Sequence, residues 1–399
     1  MTNEHNLAIN SSLKKSNNLF LIVYFALMIL PGNGLFDYIR PAICLLYFAY
    51  IHLRYRIPVI FNASHFRFFL VWILCVLLGQ FVIVGQPHED AFIHEVLRVA
   101  LYFVMFLPLQ DIYISKKTLL VLTSIFLIFN CTIQILQLLK VDFVFEFIEN
   151  VYLQSNDLRH LNLARTDNWA TFRSGSIFVN PNVYTPLALL SASVVLYELE
   201  ISIEEKNVKK QQILYLMLLI ASVTLFLTGS RTAFIALAFM IITLSAKIFQ
   251  RKPLVVIGLS AIFIAIFITL INNGSRFTNV SDGMDNSFGV KVSELFDYIM
   301  EVNPISYIVG NNSNIGSNEW GFDFEWGYVI VYTGIVGLIN YLTIHKTLFN
   351  KCKLNRQGSL YKYVLIAMII QTFSATMFYN ASAYPLLALF VFSKGVIDE

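Results

Sequence analysis

Arg231 stands alone in FLTGSRTAFIAL, residues 226 to 237, between two apolar runs. A lone guanidinium at that position needs either a water interface or a partner. Four more arginines share its placement near the ends of apolar segments: Arg40, Arg98, Arg173 and Arg276. Guanidinium groups bond two oxygens at once and stay charged, so a cluster of them suits phosphate or carboxylate. Clustered at membrane depth, they point to an amphipathic anion such as a lipid diphosphate. Carboxylates occur nearby at Asp282, Asp285, Asp323 and Glu325, with no spacing that argues for metal ligands. Two of these, Asp323 and Glu325, are candidate proton acceptors. The aromatics Trp169, Phe172, Trp320 and Trp326 are candidates for stacking on sugar faces, although aromatic residues gather at membrane interfaces for ordinary reasons.

Simpler readings compete. Asp37 and Arg40 are spaced i,i+3, and His94, Glu95 and Arg98 in HEVLR share one helical face, so each set has partners within its own helix. Arg173 and Arg276 also fit as solvated loop residues. Arg231 fits this view least, because the few residues between its flanking apolar runs give it little reach to water.

The elements that hold these residues are set by composition. Of 399 residues, 57% are hydrophobic and 13% charged, with mean hydropathy +0.66. A soluble chain carries about a quarter charged residues. This is an all-α, polytopic membrane chain, and a net charge of +3 argues against nucleic acid as a partner. The polar start lacks a cleavage site, so the first apolar run is expected to be retained. The four cysteines have no CxxC spacing, so neither a disulfide framework nor a metal site is expected. No cofactor motif is present in this reading.

Apolar runs of roughly 20 residues mark spans. Twelve are expected, at 18–31, 36–53, 67–85, 91–112, 118–139, 182–199, 212–228, 232–249, 254–272, 326–345, 361–379 and 382–395. The pair 212–228 and 232–249 is joined by a tight hairpin. With twelve spans, Lys and Arg in 54–66, 113–117, 200–211, 250–253 and 346–360 all fall on one side. The positive-inside rule makes that side cytoplasmic, with both termini. Two long segments, 140–181 and 273–325, then lie outside. The second holds VKVSELFDYIMEVN, where Val292, Leu295, Phe296 and Ile299 predict an amphipathic helix on the outer surface. All five arginines gather at or just below the outer face. Span interiors are nearly free of charge and the halves do not repeat, which weighs against an ion-coupled transporter or flippase.

Three motifs resemble the O-antigen ligase and polymerase superfamily. GSRTAFIAL is similar to its GSR-[GT]-A motif. FRSGSIFVNPNVYTPLAL, residues 172 to 189, is similar to its R-x-x-G-x-F-x-N-P-N segment. EWGYVIVYTGIVGLINYL, residues 325 to 342, resembles its helix ending in G-[LI]-[LIV]-G. Within the second motif, Asn180 is placed to cap a helix with Pro181 at its first position. The resemblance covers most of 170–345. It implies a GT-C-like hexosyltransferase of the bacterial inner membrane, acting at the periplasmic face on undecaprenyl-diphosphate-linked glycan. A chain-length regulator is an implied partner. The superfamily's ligases usually carry a histidine about eleven residues before the first glycine of the last motif. Here that position is Asp323, and 273–325 contains no histidine. The departure favours a polymerase of repeat units over a ligase, with a capsule or exopolysaccharide polymerase as the variant of the same chemistry. The expected mechanism is metal-independent and inverting. Arg173, Arg231, Arg276 and Arg98 hold the diphosphate, and Asp323 or Glu325 takes the proton.

Overall fold

Apolar periodicity translates almost directly into helices in the computed structural model. It describes residues 2–30, 35–56, 58–59, 61–81, 89–152, 158–167, 172–249, 293, 295–297, 299–300, 304–310, 324–354, 357–378, 380 and 382–397. In chain order these form α1 (Thr2–Ile29), α2 (Leu35–Tyr55), α3 (Ala63–Phe81), α4 (Glu89–Leu109), β1 (Tyr113–Ser115), α5 (Lys116–Leu138), α6 (Asp142–Tyr152) and α7 (Leu158–Thr166). They continue as α8 (Pro181–Glu204), α9 (Val208–Leu227), α10 (Arg231–Phe249), α11 (Pro304–Val309), α12 (Glu325–Lys351), α13 (Gly358–Gln371), α14 (Tyr384–Phe392) and β2 (Gly395–Ile397). Eleven of the twelve expected runs coincide with a helix; the twelfth, 254–272, lies outside the described residues.

Three helices, α5, α8 and α9, are long and apolar enough to cross a membrane; α12 meets the same length and composition but is broken at Gly334. Shorter apolar stretches occur in α1, α3, α10 and α13. On α10, Ile235, Phe239 and Ile242 recur on one face and are 50%, 53% and 60% exposed. Such a stripe suits lipid, because a water-soluble surface keeps contiguous apolar patches small.

Contacts divide the chain into two units. The first comprises 1–122, 291–357 and 384–399, and the second 123–290 and 358–383.

The second unit is built around α8, nearly all of which is buried. Its stretch Ser191, Ala192 and Ser193 is fully covered, as small side chains allow when helices approach closely. α9, α10 and α13 pack on it. The buried Glu200 of α8 accepts from Ser359 Oγ at 2.8 Å and Tyr363 Oη at 2.7 Å, which ties α13 in place. The segment expected as an outer loop, 140–181, contains α6, α7 and a 3₁₀ turn at Ser176–Phe178. α6 buries Val144, Phe145 and Ile148 against Leu161, Ala164, Phe172, Val179 and Leu227. The chain therefore caps the end of α9 with short helices of its own. A hydropathy threshold misses them because only one face of each is apolar.

In the first unit α12 departs most from expectation. Gly334 has φ 62° and ψ −164°, which breaks the helix. Trp326 lies with its ring centroid 5.6 Å from Tyr341 and 5.4 Å from His345. A continuous helix would separate Trp326 and His345 by about 28 Å. The chain therefore folds back at Gly334, and 325–333 runs against 335–351. The expected single span 326–345 is two helices, the first only ~13 Å long. Sequence periodicity carries through the glycine unchanged, so the fold-back was invisible to it. The end of α11 seats on the break: a Cβ at Gly310 would collide with the backbone of Tyr332 and Thr333, and one at Gly334 with that of Ile308 and Gly310.

The stretch around 292–299, expected as an amphipathic helix on the outer surface, is described only in part. Residues 293, 295–297 and 299–300 are helical, and Leu295 and Ile299 pack against Phe324 and Val331, as Trp326 does. Phe296 points the other way and is exposed, and Val292 lies outside the described residues. The expected last span, 382–395, is only α14, nine residues that are buried throughout. A run this short is a core helix rather than a lone span. After it, Gly395–Ile397 pairs in parallel with Tyr113–Ser115, a small two-stranded addition to the all-α expectation.

Candidate functional site

Arg173 and the turn before Arg231 meet in the second unit, although 55 residues separate Arg173 from Thr228. α9 ends at Leu227, and Gly229 takes φ 63°, the left-handed conformation that closes helices and that glycine adopts at least cost. Ser230 then starts α10, its Oγ accepting from the Ala233 N–H at 3.3 Å. Its own N–H donates to Thr228 Oγ1 at 3.3 Å. The connection is as short as expected, but α10 packs chiefly on α8 and α13 while α9 packs on α8, so the helices diverge from the turn. Arg231 is the first residue of α10 and half-buried. A cation at a helix N-terminus opposes the helix dipole. An anion bound there would meet both the guanidinium and the first-turn N–H groups.

Arg173 lies across this turn. Its Nε donates to the Thr228 carbonyl at 3.2 Å and its Nη2 to Asn182 Oδ1 at 3.4 Å. A Cβ at Gly229 would sit 2.8 Å from Arg173 Cγ. The Ser174 N–H donates to the Leu227 carbonyl at 2.9 Å, so backbone as well as side chain joins the two segments. Asn180 caps α8, accepting from the Asn182 N–H at 2.9 Å, with Pro181 as the first helical residue.

What fixes the 172–180 segment is a set of amides that sequence reading passed over. Asn130, Gln134 and Gln137 recur at i, i+4 and i+7 inside the apolar α5, all fully or almost fully buried. Gln134 Nε2 donates to the Ser174 carbonyl at 3.0 Å and Ser174 Oγ bonds Gln137 Oε1; Ser176 Oγ donates at 3.2 Å to the main-chain carbonyl of Asn130, whose side-chain amide instead donates to the Phe126 carbonyl. Two glutamines spaced i,i+3 on one face of an expected span are the signal that would have found them. Lys140, just past α5, donates to the Ala164 carbonyl at 2.6 Å and lies 5.2 Å from the Phe172 ring centroid. Burial lowers the Lys140 ammonium from the ordinary lysine value, with the Asp167 charge acting the other way. Phe172 itself is in the apolar cluster beneath the turn, which corrects its reading as a sugar contact.

The first unit holds the remaining described candidates. Arg98 pairs with Glu95 at 3.1 Å and donates to the Tyr328 hydroxyl, which in turn bonds Glu95 Oε2 at 3.3 Å. The local pairing suspected in HEVLR therefore exists, with Tyr328 as a third member that spacing could not reveal; Tyr332 stacks on Tyr328 at 3.9 Å. Glu325 is completely buried in the first turn of α12, where a carboxylate suits the helix dipole. The charges of Arg98, Glu95, Glu325 and Arg40 all bear on Tyr102, which places these groups in one neighbourhood. Arg40, buried, donates to the Leu27 and Leu30 carbonyls at 2.9 and 2.6 Å. It closes the end of α1, where carbonyls lack helical partners. Trp326 lies against Tyr341 and His345, as described above.

The Arg276, Asp282, Asp285, Asp323, Trp169 and Trp320 positions lie outside the described residues, as do the side chains of Asp37 and His94. Among the described residues, no group of three or more His, Cys, Asp or Glu side chains converges as metal ligands do.

No family model matches the sequence, and no curated protein matches it. The fold and composition define a helical membrane protein.

Proposed function

We propose that this chain is a membrane glycosyltransferase that joins undecaprenyl-diphosphate-linked repeat units into O-antigen polysaccharide at the periplasmic face of the bacterial inner membrane. One observation carries the reading: Arg173 packs across Gly229 with its Nε on the Thr228 carbonyl, two residues from Gly229 to Arg231. Two of the three segments that resemble the superfamily are thus a single local structure. Two arginines and a helix N-terminus at one turn suit the diphosphate of a lipid-linked donor.

In this reading the acceptor hydroxyl oxygen bonds the anomeric carbon as the bond from that carbon to the diphosphate oxygen breaks. The electron pair leaves with the lipid diphosphate, whose charge the guanidinium groups stabilise. The hydroxyl proton passes to a carboxylate, for which the sequence offers Asp323 and Glu325. Attack from the face opposite the leaving group inverts the anomeric configuration. The test is purified protein with a synthetic lipid-diphosphate repeat unit, with and without chelator. Polymer formed in chelator is expected. Failure to form polymer under any metal condition, with folded protein, overturns the assignment.

A further inference from the structure

Within the first unit, α4 runs from the Arg98 cluster toward a second polar region about 18 Å away, where Gln110 and Asp111 follow its last turn. A cavity of about 770 Å³ opens there. Small-molecule sites span roughly 300–1,000 Å³. We infer that this cavity is a binding site for a phosphate group, independent of the arginine turn.

Gln110 is 7% exposed, and its Oε1 accepts from the Asn62 N–H at 3.3 Å. The Gln110 Nε2 has no partner in the protein, and neither do Ser393 Oγ or His65 Nδ1 on the same cavity wall. Ser393 is 2% exposed. Buried polar groups left unpaired are costly; Gln110 Nε2 can only donate and Ser393 Oγ can donate, so the wall offers donors to an acceptor-rich guest, although Asp111 Oδ2 on the same wall also makes no hydrogen bond. Two lysine side chains join them. Lys351 Nζ is fixed by the Phe390 and Ser393 carbonyls at 2.8 and 2.6 Å, and Lys394 lines the rim. The one acidic residue among the described lining, Asp111, pairs with Lys394 at 3.3 Å, which offsets its charge, and His52 Nε2 lies 3.5 Å from it. Lysine and amide N–H donors together with a hydroxyl are complementary to a phosphate, whose oxygens accept several hydrogen bonds. A divalent cation meets two lysines and an amide N–H here, which disfavours it. The phosphate has two sources: a soluble phosphorylated compound, or the headgroup of an anionic phospholipid, since basic recesses between helices also take these. The sequence reading puts this end on the cytoplasmic side.

The test uses the full chain in phosphate-free dodecyl maltoside, carrying Arg231→Ala so that anions held by the arginine turn are not counted. Inorganic pyrophosphate is titrated calorimetrically, and retention of phosphatidylglycerol is followed by native mass spectrometry. Gln110→Leu and Lys394→Gln are compared with the parent. Lys394 is partly exposed, so its variant reads out even where Gln110→Leu folds poorly. Saturable pyrophosphate binding, weakened tenfold or more by either substitution, supports a soluble ligand. Retained phosphatidylglycerol, lost in the same variants and without pyrophosphate binding, supports the lipid headgroup. The proposal is overturned when neither probe binds, or when binding is the same in the parent and in both variants.

Discussion

Arg173 Cγ lies 2.8 Å from where a side chain at Gly229 would begin. The glycine thus serves two needs at once: it takes a φ of 63°, and it leaves room for the arginine that crosses it. Gly229→Ala has to adopt left-handed backbone, at about 1–2 kcal/mol, and push Arg173 aside. We expect the variant to insert and accumulate normally while polymer formation falls at least tenfold. Normal chain lengths on a polysaccharide gel would separate Arg173 from the function.

Arg231 tests the fork itself. Arg231→Ala is expected to abolish long chains at unchanged protein level, and Arg231→Lys to recover only a minor part of the activity. A lysine keeps the charge but loses bidentate geometry. Full activity in Arg231→Lys would reduce the role to simple charge.

Gln134 supports the segment from below. Gln134→Leu removes the donor to the Ser174 carbonyl and leaves that buried acceptor short. A loss of about 1–3 kcal/mol is expected, read as a lower melting temperature in detergent. The exposed neighbour Ile135, changed to Leu, should leave the melting temperature unmoved. Equal melting for both variants would make the amide ladder incidental.

Glu95 and Tyr328 share Arg98, so they should couple. In a double-mutant cycle of Glu95→Gln and Tyr328→Phe, the expected interaction energy is about 0.5–3 kcal/mol. Additive effects on thermal unfolding would mean that the three groups do not act together.

Gly334 decides the shape of α12. A Cβ there meets the Ile308 carbonyl and the Gly310 nitrogen, both backbone atoms that cannot step away. Gly334→Ala should destabilise by about 2–5 kcal/mol, combining backbone strain with overpacking, and lower the amount of folded protein. A fully stable variant would show that 325–351 runs straight.

Much of this molecule was legible in one dimension. Apolar runs located the helices because a helix satisfies its own backbone and needs only composition to be recognised. The cap at Asn180 and the turn at Gly229 were equally local, since their partners lie within three residues. Arg231 was found for the same reason: its oddity is relative to its immediate neighbours. What lies between distant segments was decided only by tertiary structure. That Arg173 crosses Gly229, that Gln134 holds Ser174, and that Tyr328 completes the Glu95–Arg98 pair depend on which helices pack, and no spacing encodes that. Arg40 resembled the other arginines in sequence, yet it spends two donors on the end of α1. The fold-back at Gly334 is the plainest case. A glycine in an apolar helix is compatible with continuity or reversal, and the choice rests on whether another backbone, here that of Ile308 and Gly310, comes close enough to occupy the space a side chain would need.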